Sequence, residues 1–213
     1  MTNQENYENK DLGKYAICME EVKKRNEAIG EIISGIKTTS FPITNLEFVS
    51  LNIRKCLELI SLANLVAHKE KYKEVREKYF LDWRAKSILK EIEKINPDFY
   101  PEPLIRVKSR IPTANYEWKK RESGYLSKDE FSEAYDFASD FLHAENPFNR
   151  KNVDIFQAME KFKKYNTKII RLLNEHIIKL SNGVVLNCLM SAIGDGRVHL
   201  TIFEKVEREI ERP

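Results

Sequence analysis

The segment 44–68 carries apolar side chains on every face of a predicted helix. A helix that is apolar all round is normally buried on most of its sides rather than lying on a protein surface. Glu47, Arg54 and Glu58 nevertheless recur along one stripe of this segment. Charges within a core must be paired, because an isolated buried charge is strongly unfavourable. The chain must therefore fold into a body large enough to enclose this helix and to hold its charges.

The charged stripe has two interpretations. Arg54 and Glu58 are four residues apart, so their side chains can pair on one helix face. They form either a buried structural ion pair or a ligand site. In the ligand site, Arg54 would bind an anionic or polar ligand and Glu58 would orient that ligand. Glu47 has a further alternative, because it follows Thr44 at the spacing of a capping box at the start of the same helix.

Length and composition indicate an ordinary globular protein. The 213 residues suit one generous domain, and a content of only 7 Gly and 7 Pro favours long helices. The net charge of +3 is too small to indicate a nucleic-acid partner by itself.

No targeting or metal-binding pattern is recognisable in the sequence. The polar N-terminus predicts no signal peptide, and charges interrupt the most apolar run, which predicts no membrane span. Cys18, Cys56 and Cys188 are dispersed without paired spacing, which indicates free thiols in a reducing cytoplasm. No histidine, cysteine or carboxylate spacing is typical of a metal site, so neither a metal nor a cofactor is expected.

Hydrophobic spacing predicts a mostly α fold. Apolar residues recur at three-four intervals over 11–36, 44–68, 79–95, 127–142 and 153–180. Two alternating segments, 184–192 and 198–206, flank Gly194-Asp195-Gly196, which indicates a hairpin. The predicted fold is a bundle of about five helices with a C-terminal two-stranded β-hairpin.

The predicted organisation is a single helical domain over 1–213. It consists of N-terminal helices over 1–98, a basic loop over 99–126, C-terminal helices over 127–180 and the hairpin over 181–213. Because a two-stranded hairpin leaves two open edges, we expect a homodimer that closes them.

The basic loop shows no convincing periodicity. Its aromatic residues Tyr116 and Trp118 are followed by Lys119, Lys120 and Arg121. Stacking rings beside cations are typical of single-stranded nucleic-acid sites, so RNA is one expected partner. A solvated linker with a few packed aromatic residues would give the same pattern.

Three strings carry a resemblance to known sequences: RKCLELI at 54–60, NPDFYP at 96–101 and LHAENPF at 142–148. Together they resemble a widespread family of bacterial hypothetical proteins that carries them in this order, which implies no particular activity. A second similarity is to the HEPN superfamily, helical bundles that include metal-independent ribonucleases of toxin and defence systems. Its signature is an Arg followed at four to six residues by a His. Arg171 and His176 match that spacing, although Leu172 stands where the superfamily usually has a polar residue.

The HEPN resemblance implies a catalytic set. His176 or His143 would act as general acid or base, with Arg171 or Arg54 stabilising the phosphate. On a regular helix Arg171 and His176 would diverge by roughly 140°, so they could cooperate only across a kink or a subunit boundary. His143 has a structural alternative, because a cationic histidine is favourable at a helix C-terminus.

Two functions remain open from the sequence. The first is a cytoplasmic regulatory or interaction protein of a bacterial stress or defence module, which would act through a protein partner. The alternative is a HEPN-like endoribonuclease that needs no metal.

Overall fold

The structure is a computed structural model that describes residues 3–68, 85–110, 115–144, 148, 153–180 and 183–204. Over these residues the chain forms five α-helices and a five-stranded antiparallel sheet. The prediction of a mostly α bundle with a two-stranded hairpin is therefore wrong, and the fold is mixed α/β.

The helices are α1 (Asn3–Ile33), α2 (Pro42–Ala67), α3 (Ala85–Ile95), α4 (Lys128–Ser139) and α5 (Ile155–Leu173). The strands are β1 (Glu102–Lys108), β2 (Tyr116–Lys120), β3 (Glu175–Lys179), β4 (Val184–Leu189) and β5 (His199–Glu204). Their order across the sheet is β2-β1-β3-β4-β5, and all neighbours are antiparallel. Residues 79–84, at the start of one predicted helix, lie outside the described residues.

The apolar segment forms the central helix α2, which contacts α1, α3, α4 and α5. It begins at Pro42, a residue favoured in the first helical turn, and Phe41 is the N-cap without a side-chain bond. The Thr44 hydroxyl lies inside the helix and donates to the Phe41 carbonyl at 2.7 Å. The predicted capping box of Thr44 and Glu47 is therefore wrong.

The predicted start of the helix over 127–142 is confirmed at α4. The Ser127 hydroxyl accepts from the Glu130 backbone N–H at 3.2 Å, and the Glu130 carboxylate accepts from the Ser127 N–H at 3.1 Å. These reciprocal bonds form a complete capping box. The helix ends at Ser139, earlier than the predicted 142.

The last predicted helix, 153–180, is two elements rather than one. Helix α5 ends at Leu173, and residues 175–179 are strand β3. The apolar residues of the two elements together imitate a helical period, but Ile177 and Ile178 are β-branched and favour a strand that can pair with β4. His176 therefore lies on a strand.

The basic loop is not irregular either. Strands β1 and β2 pair from Leu104 with Lys120 to Lys108 with Tyr116. Within β1 the residues Pro103, Ile105 and Val107 alternate with Leu104, Arg106 and Lys108. That alternation has period two, which is the period of a strand. It is obscured in the sequence because Leu104 is an apolar residue among the polar positions.

The C-terminal hairpin of β4 and β5 forms where the glycine-rich turn predicts it. Strand β4, however, is also paired with β3, so the hairpin belongs to the larger sheet.

The two faces of the sheet have different surroundings. The helix-side face carries His176 and Ile178, and the Tyr15 hydroxyl of α1 lies 2.6 Å from His176 Nε2. We call the opposite side the open face. Its members are Glu102, Leu104, Arg106 and Lys108 of β1; Tyr116, Trp118 and Lys120 of β2; Glu175, Ile177 and Lys179 of β3; Val185, Asn187 and Leu189 of β4; and His199, Thr201 and Phe203 of β5.

The sheet curls toward its open face. Trp118 on β2 and Phe203 on β5 belong to the two edge strands, yet their ring centroids are 6.5 Å apart. Neighbouring strands lie about 4.8 Å apart, so a flat five-stranded sheet would hold its edges roughly 19 Å apart. Because both rings project from the same face, the sheet must coil until its opposite corners meet, and the open face is concave.

Cys18, Cys56 and Cys188 are free thiols, as the sequence predicts. Within the described ranges, no helix combines the length and the apolar character required to traverse a bilayer.

Candidate functional site

The predicted catalytic histidine His176 lies in the core. It is fully buried, and its Nδ1 lies 2.8 Å from the Leu173 carbonyl, which makes Nδ1 the protonated nitrogen. Nε2 is then the acceptor for the Tyr15 hydroxyl at 2.6 Å. Burial lowers the pKa of His176 to about 4, so the ring is neutral near pH 7. A neutral imidazole with both nitrogens occupied and no exposed surface serves packing.

Arg171 points away from this histidine. It is exposed in the last turn of α5, and its Nη1 donates to the Gly124 carbonyl at 3.5 Å. Gly124 has φ +78°, and a Cβ there would lie 2.9 Å from Arg171 Nη1, so only glycine fits this contact well. The structure does not bring Arg171 and His176 together. His143 is exposed beyond the end of α4, and no hydrogen bond joins it to either residue.

The Arg54 and Glu58 side chains pair as predicted, with Nε 3.1 Å from Oε1. The side chains are 29% and 18% exposed, so the pair is half-buried rather than enclosed in the core. Arg54 also lies 5.0 Å from the ring centre of Tyr135 and 3.4 Å from Ser139 Oγ. Glu47 is exposed, so it lies outside the core.

The predicted nucleic-acid residues divide between the two sides of β2. Tyr116, Trp118 and Lys120 are on the open face, whereas Lys119 is on the helix-side face and Arg121 follows the end of the strand. The open face therefore receives both aromatic residues and one cation of the predicted set.

A buried carboxylate organises this face. Glu175 Oε1 and Oε2 accept from Arg106 Nη2 and Nε at 2.9 and 2.8 Å, and the Trp118 indole N–H donates to Oε1 at 2.7 Å. The Glu175 side chain is 4% exposed. Charge-assisted bonds of this bidentate kind are strong and directional, so they fix the position of both donors. The hydrogen bond with Glu175 raises the pKa of the Arg106 guanidinium.

Aromatic rings stand exposed on the same face. Tyr116 is 63%, Trp118 53% and Phe203 46% exposed. The indole N–H of Trp118 is held by Glu175, so the ring cannot rotate into a more buried position without losing this hydrogen bond.

Cations exceed carboxylates on the open face. Four cationic residues, Arg106, Lys108, Lys120 and Lys179, accompany two acidic residues, Glu102 and Glu175. Glu102 pairs with both Lys120, at 2.9 Å, and Lys179, at 3.3 Å. Burial alone would raise the pKa of Glu102, but the hydrogen bond from Lys120 and the nearby Lys179 charge lower it. Lys108 makes no ion pair with any residue that the structure describes.

Sequence reasoning missed Arg106, Lys108, Lys179, Glu175 and Phe203 as members of this surface. The period-two alternation in 103–108 could have placed Arg106 and Lys108 on one face with the aromatic residues. Nothing in the sequence indicates that Glu175 meets them, because that contact depends on the order of the strands.

A separate cleft of about 280 Å³ lies between α1, α5 and the end of β4. Its only cation among the described lining residues, Lys23, is engaged by Glu20 at 2.8 Å and by the Gly196 carbonyl at 2.6 Å. Among the described residues no group of three or more histidine, cysteine or acidic side chains could hold a metal ion.

Comparison of the chain with protein-family models, with curated proteins and with solved structures finds no match. The resemblances to the family of bacterial hypothetical proteins and to the HEPN superfamily therefore stay predictions.

Proposed function

We propose that this chain is a regulatory or interaction protein that acts by binding, and that its binding surface is the open face of the curled sheet. One observation carries the proposal: Trp118 is held by the buried Glu175 in an exposed position. A large aromatic side chain normally gains free energy by burial, so a fixed and exposed indole is typical of a surface that awaits a partner.

The ribonuclease alternative has less support from the geometry. General acid–base catalysis needs a titrating group within reach of the substrate. His176 is buried and neutral, and Arg171 of α5 donates to the Gly124 carbonyl instead of approaching a histidine. His143 is the remaining exposed candidate of the set, and no described hydrogen bond or ion pair links it to a phosphate-stabilising arginine.

The proposal places the protein in the cytoplasm, where a bacterial stress or defence module would operate. The free thiols of Cys18, Cys56 and Cys188 support this location, because dispersed cysteines stay reduced there. Self-association through a free sheet edge belongs to the same proposal.

Site-specific photo-crosslinking in the native host tests the binding surface. A benzophenone amino acid at Tyr116, which is exposed on the open face, should give discrete covalent adducts with protein or nucleic acid. The matched control carries the same group at Lys24, which is exposed on α1 and does not belong to the open face. Equal adduct patterns at both positions, or none at Tyr116, would contradict the proposal.

The absence of catalysis is tested separately with pure protein and several RNAs. We expect no products with cyclic phosphate ends. Cleavage that survives chelation of metals and is lost in His143→Ala would favour the ribonuclease instead.

A further inference from the structure

We infer that the occupant of the open face is single-stranded nucleic acid, with a base stacked on Trp118 and phosphates held by the surrounding lysines. The inference rests on the proposed function, since it names the chemistry of the partner for the same surface. It draws on three features of the described residues: a fixed aromatic ring, unneutralised cations and a concave shape.

The ring of Trp118 suits stacking because it is oriented in advance. Its N–H is bound to Glu175 at 2.7 Å, and Arg106 holds the same carboxylate in place with two bonds. A ring that is already fixed loses little conformational freedom when a base stacks on it, which improves affinity. Every base has a π-face, so such stacking tolerates different sequences.

The lysines around this ring suit phosphates. Lys108 has no counter-charge among the described residues and stands opposite Tyr116 in the β1–β2 pair. Lys120 and Lys179 share the one carboxylate of Glu102, so one of their two charges is in excess. A phosphodiester chain crossing the face would supply the missing negative charges and release bound counterions.

The shape of the face favours a single strand over a duplex. The contact of 6.5 Å between Trp118 and Phe203 shows that the face is concave and bounded by the two edge strands. In a duplex the bases are stacked on each other and cannot present their faces to a protein ring, whereas bases of a single strand can be splayed out. An acidic polypeptide would satisfy the lysines but would leave the exposed rings without a stacking partner.

Fluorescence anisotropy with the full-length protein tests this inference. The probes are fluorescein-labelled oligouridylate and oligodeoxyuridylate of about 20 nucleotides, which cover a typical single-strand site and differ only in the 2′-hydroxyl. We expect both to bind, and a preference for the RNA probe would assign a contact to the 2′-hydroxyl. The unlabelled duplex of the same length should compete poorly.

Substitutions then locate the site. Trp118→Ala should weaken binding about tenfold or more, while Trp118→Phe, which keeps a ring, should retain most of it. Lys108→Gln should weaken binding and lower the dependence of affinity on salt by about one ion. Lys24→Gln removes the same charge from α1, outside the open face, and should change neither quantity. Thermal unfolding followed by circular dichroism shows that each variant is folded.

Intrinsic fluorescence gives an independent readout. The chain has 2 Trp, so Trp83→Phe leaves Trp118 as the sole indole, and its emission should be quenched as unlabelled oligouridylate is added. Binding that is the same for Trp118→Ala and the parent protein would overturn the inference. So would quenching by polyglutamate but not by either oligonucleotide, an outcome that leaves the proposed binding surface standing with a protein partner.

Discussion

His176 makes the interface between α1 and the sheet sensitive to acid. Its folded pKa is about 4, against an ordinary value of 6.5, because burial disfavours the charged ring. Between these values the unfolded chain binds a proton that the folded chain does not. The contribution of the neutral His176 ring to the free energy of unfolding is therefore fully present above about pH 6.5. It is lost as the pH falls from there toward about 4. The difference between the two pKa values corresponds to about 3 kcal/mol in the free energy of unfolding.

We predict that the free energy of unfolding, measured with urea, decreases by this mechanism between about pH 6.5 and about pH 5. The matched variant is His176→Gln, which can still accept from Tyr15 and donate to the Leu173 carbonyl but does not titrate. Its stability should depend less on pH over the same window. An equal slope in both proteins would show that His176 is not the group responsible.

The Arg54–Glu58 pair is half-buried, which sets the size of its contribution. A fully buried pair costs roughly 3–5 kcal/mol when one member is removed, and an exposed pair roughly 0–1 kcal/mol. We predict that Arg54→Ala lowers the free energy of unfolding by about 1–2 kcal/mol, including the lost contact with the Tyr135 ring. Arg54→Met, which keeps most of the side-chain volume, separates packing from charge. A loss above about 3 kcal/mol in both variants would indicate a fully desolvated pair.

Among the elements, the β1–β2 hairpin depends most on one contact. Strand β1 pairs with β3 through two residue pairs only, Glu102 with Ile177 and Pro103 with His176. Beyond these pairs, the bonds of Glu175 to Arg106 and Trp118 connect β1 and β2 to the rest of the sheet. The buried carboxylate therefore couples the hairpin to β3.

We predict that Glu175→Ala increases backbone hydrogen exchange in 104–108 and 116–120 while α1 and α2 stay protected. Removing the carboxylate leaves the Arg106 and Trp118 donors without their acceptor, at a cost of about 1–3 kcal/mol, because both side chains stay partly accessible to water. The matched change Glu117→Ala removes a carboxylate from β2 that makes a single long ion pair, 3.5 Å, with Lys119. If hydrogen exchange in the hairpin is the same for both variants, Glu175 does not couple the hairpin to β3.

At the scale of the whole molecule, local patterns predicted helices and turns but not the sheet. The helix start at Ser127 and the Gly194 turn depend on residues close in sequence, and both formed as predicted. Strand β3 contains Glu175 and His176, whose partners Arg106 and Tyr15 are far away along the chain. The order β2-β1-β3-β4-β5 therefore decides which residues meet, and no local period contains that order.

The same order changes the basis for the predicted homodimer. Strand β4 is covered by β3, so the hairpin contributes one free edge, the outer side of β5, rather than two. The other edge of the sheet is β2, where Lys119 and Lys120 discourage pairing with another chain. Strand β5 has Ile202 and Phe203 42% and 46% exposed, and in the described part of the chain no strand pairs with its outer side.

We predict a symmetric dimer in which the β5 strands of two copies pair antiparallel and join the two sheets. An unpaired strand edge recruits another strand, and two-fold pairing closes it with the least new surface. Light scattering at micromolar concentration should give about twice the 25.1 kDa of one chain. Thr201→Lys, which adds a charge to the middle of β5 in both copies, should yield the monomer, whereas Thr167→Lys on exposed α5 should not. A monomer mass for the unmodified protein would rule out this assembly, and with it any site shared between Arg171 of one copy and a histidine of the other.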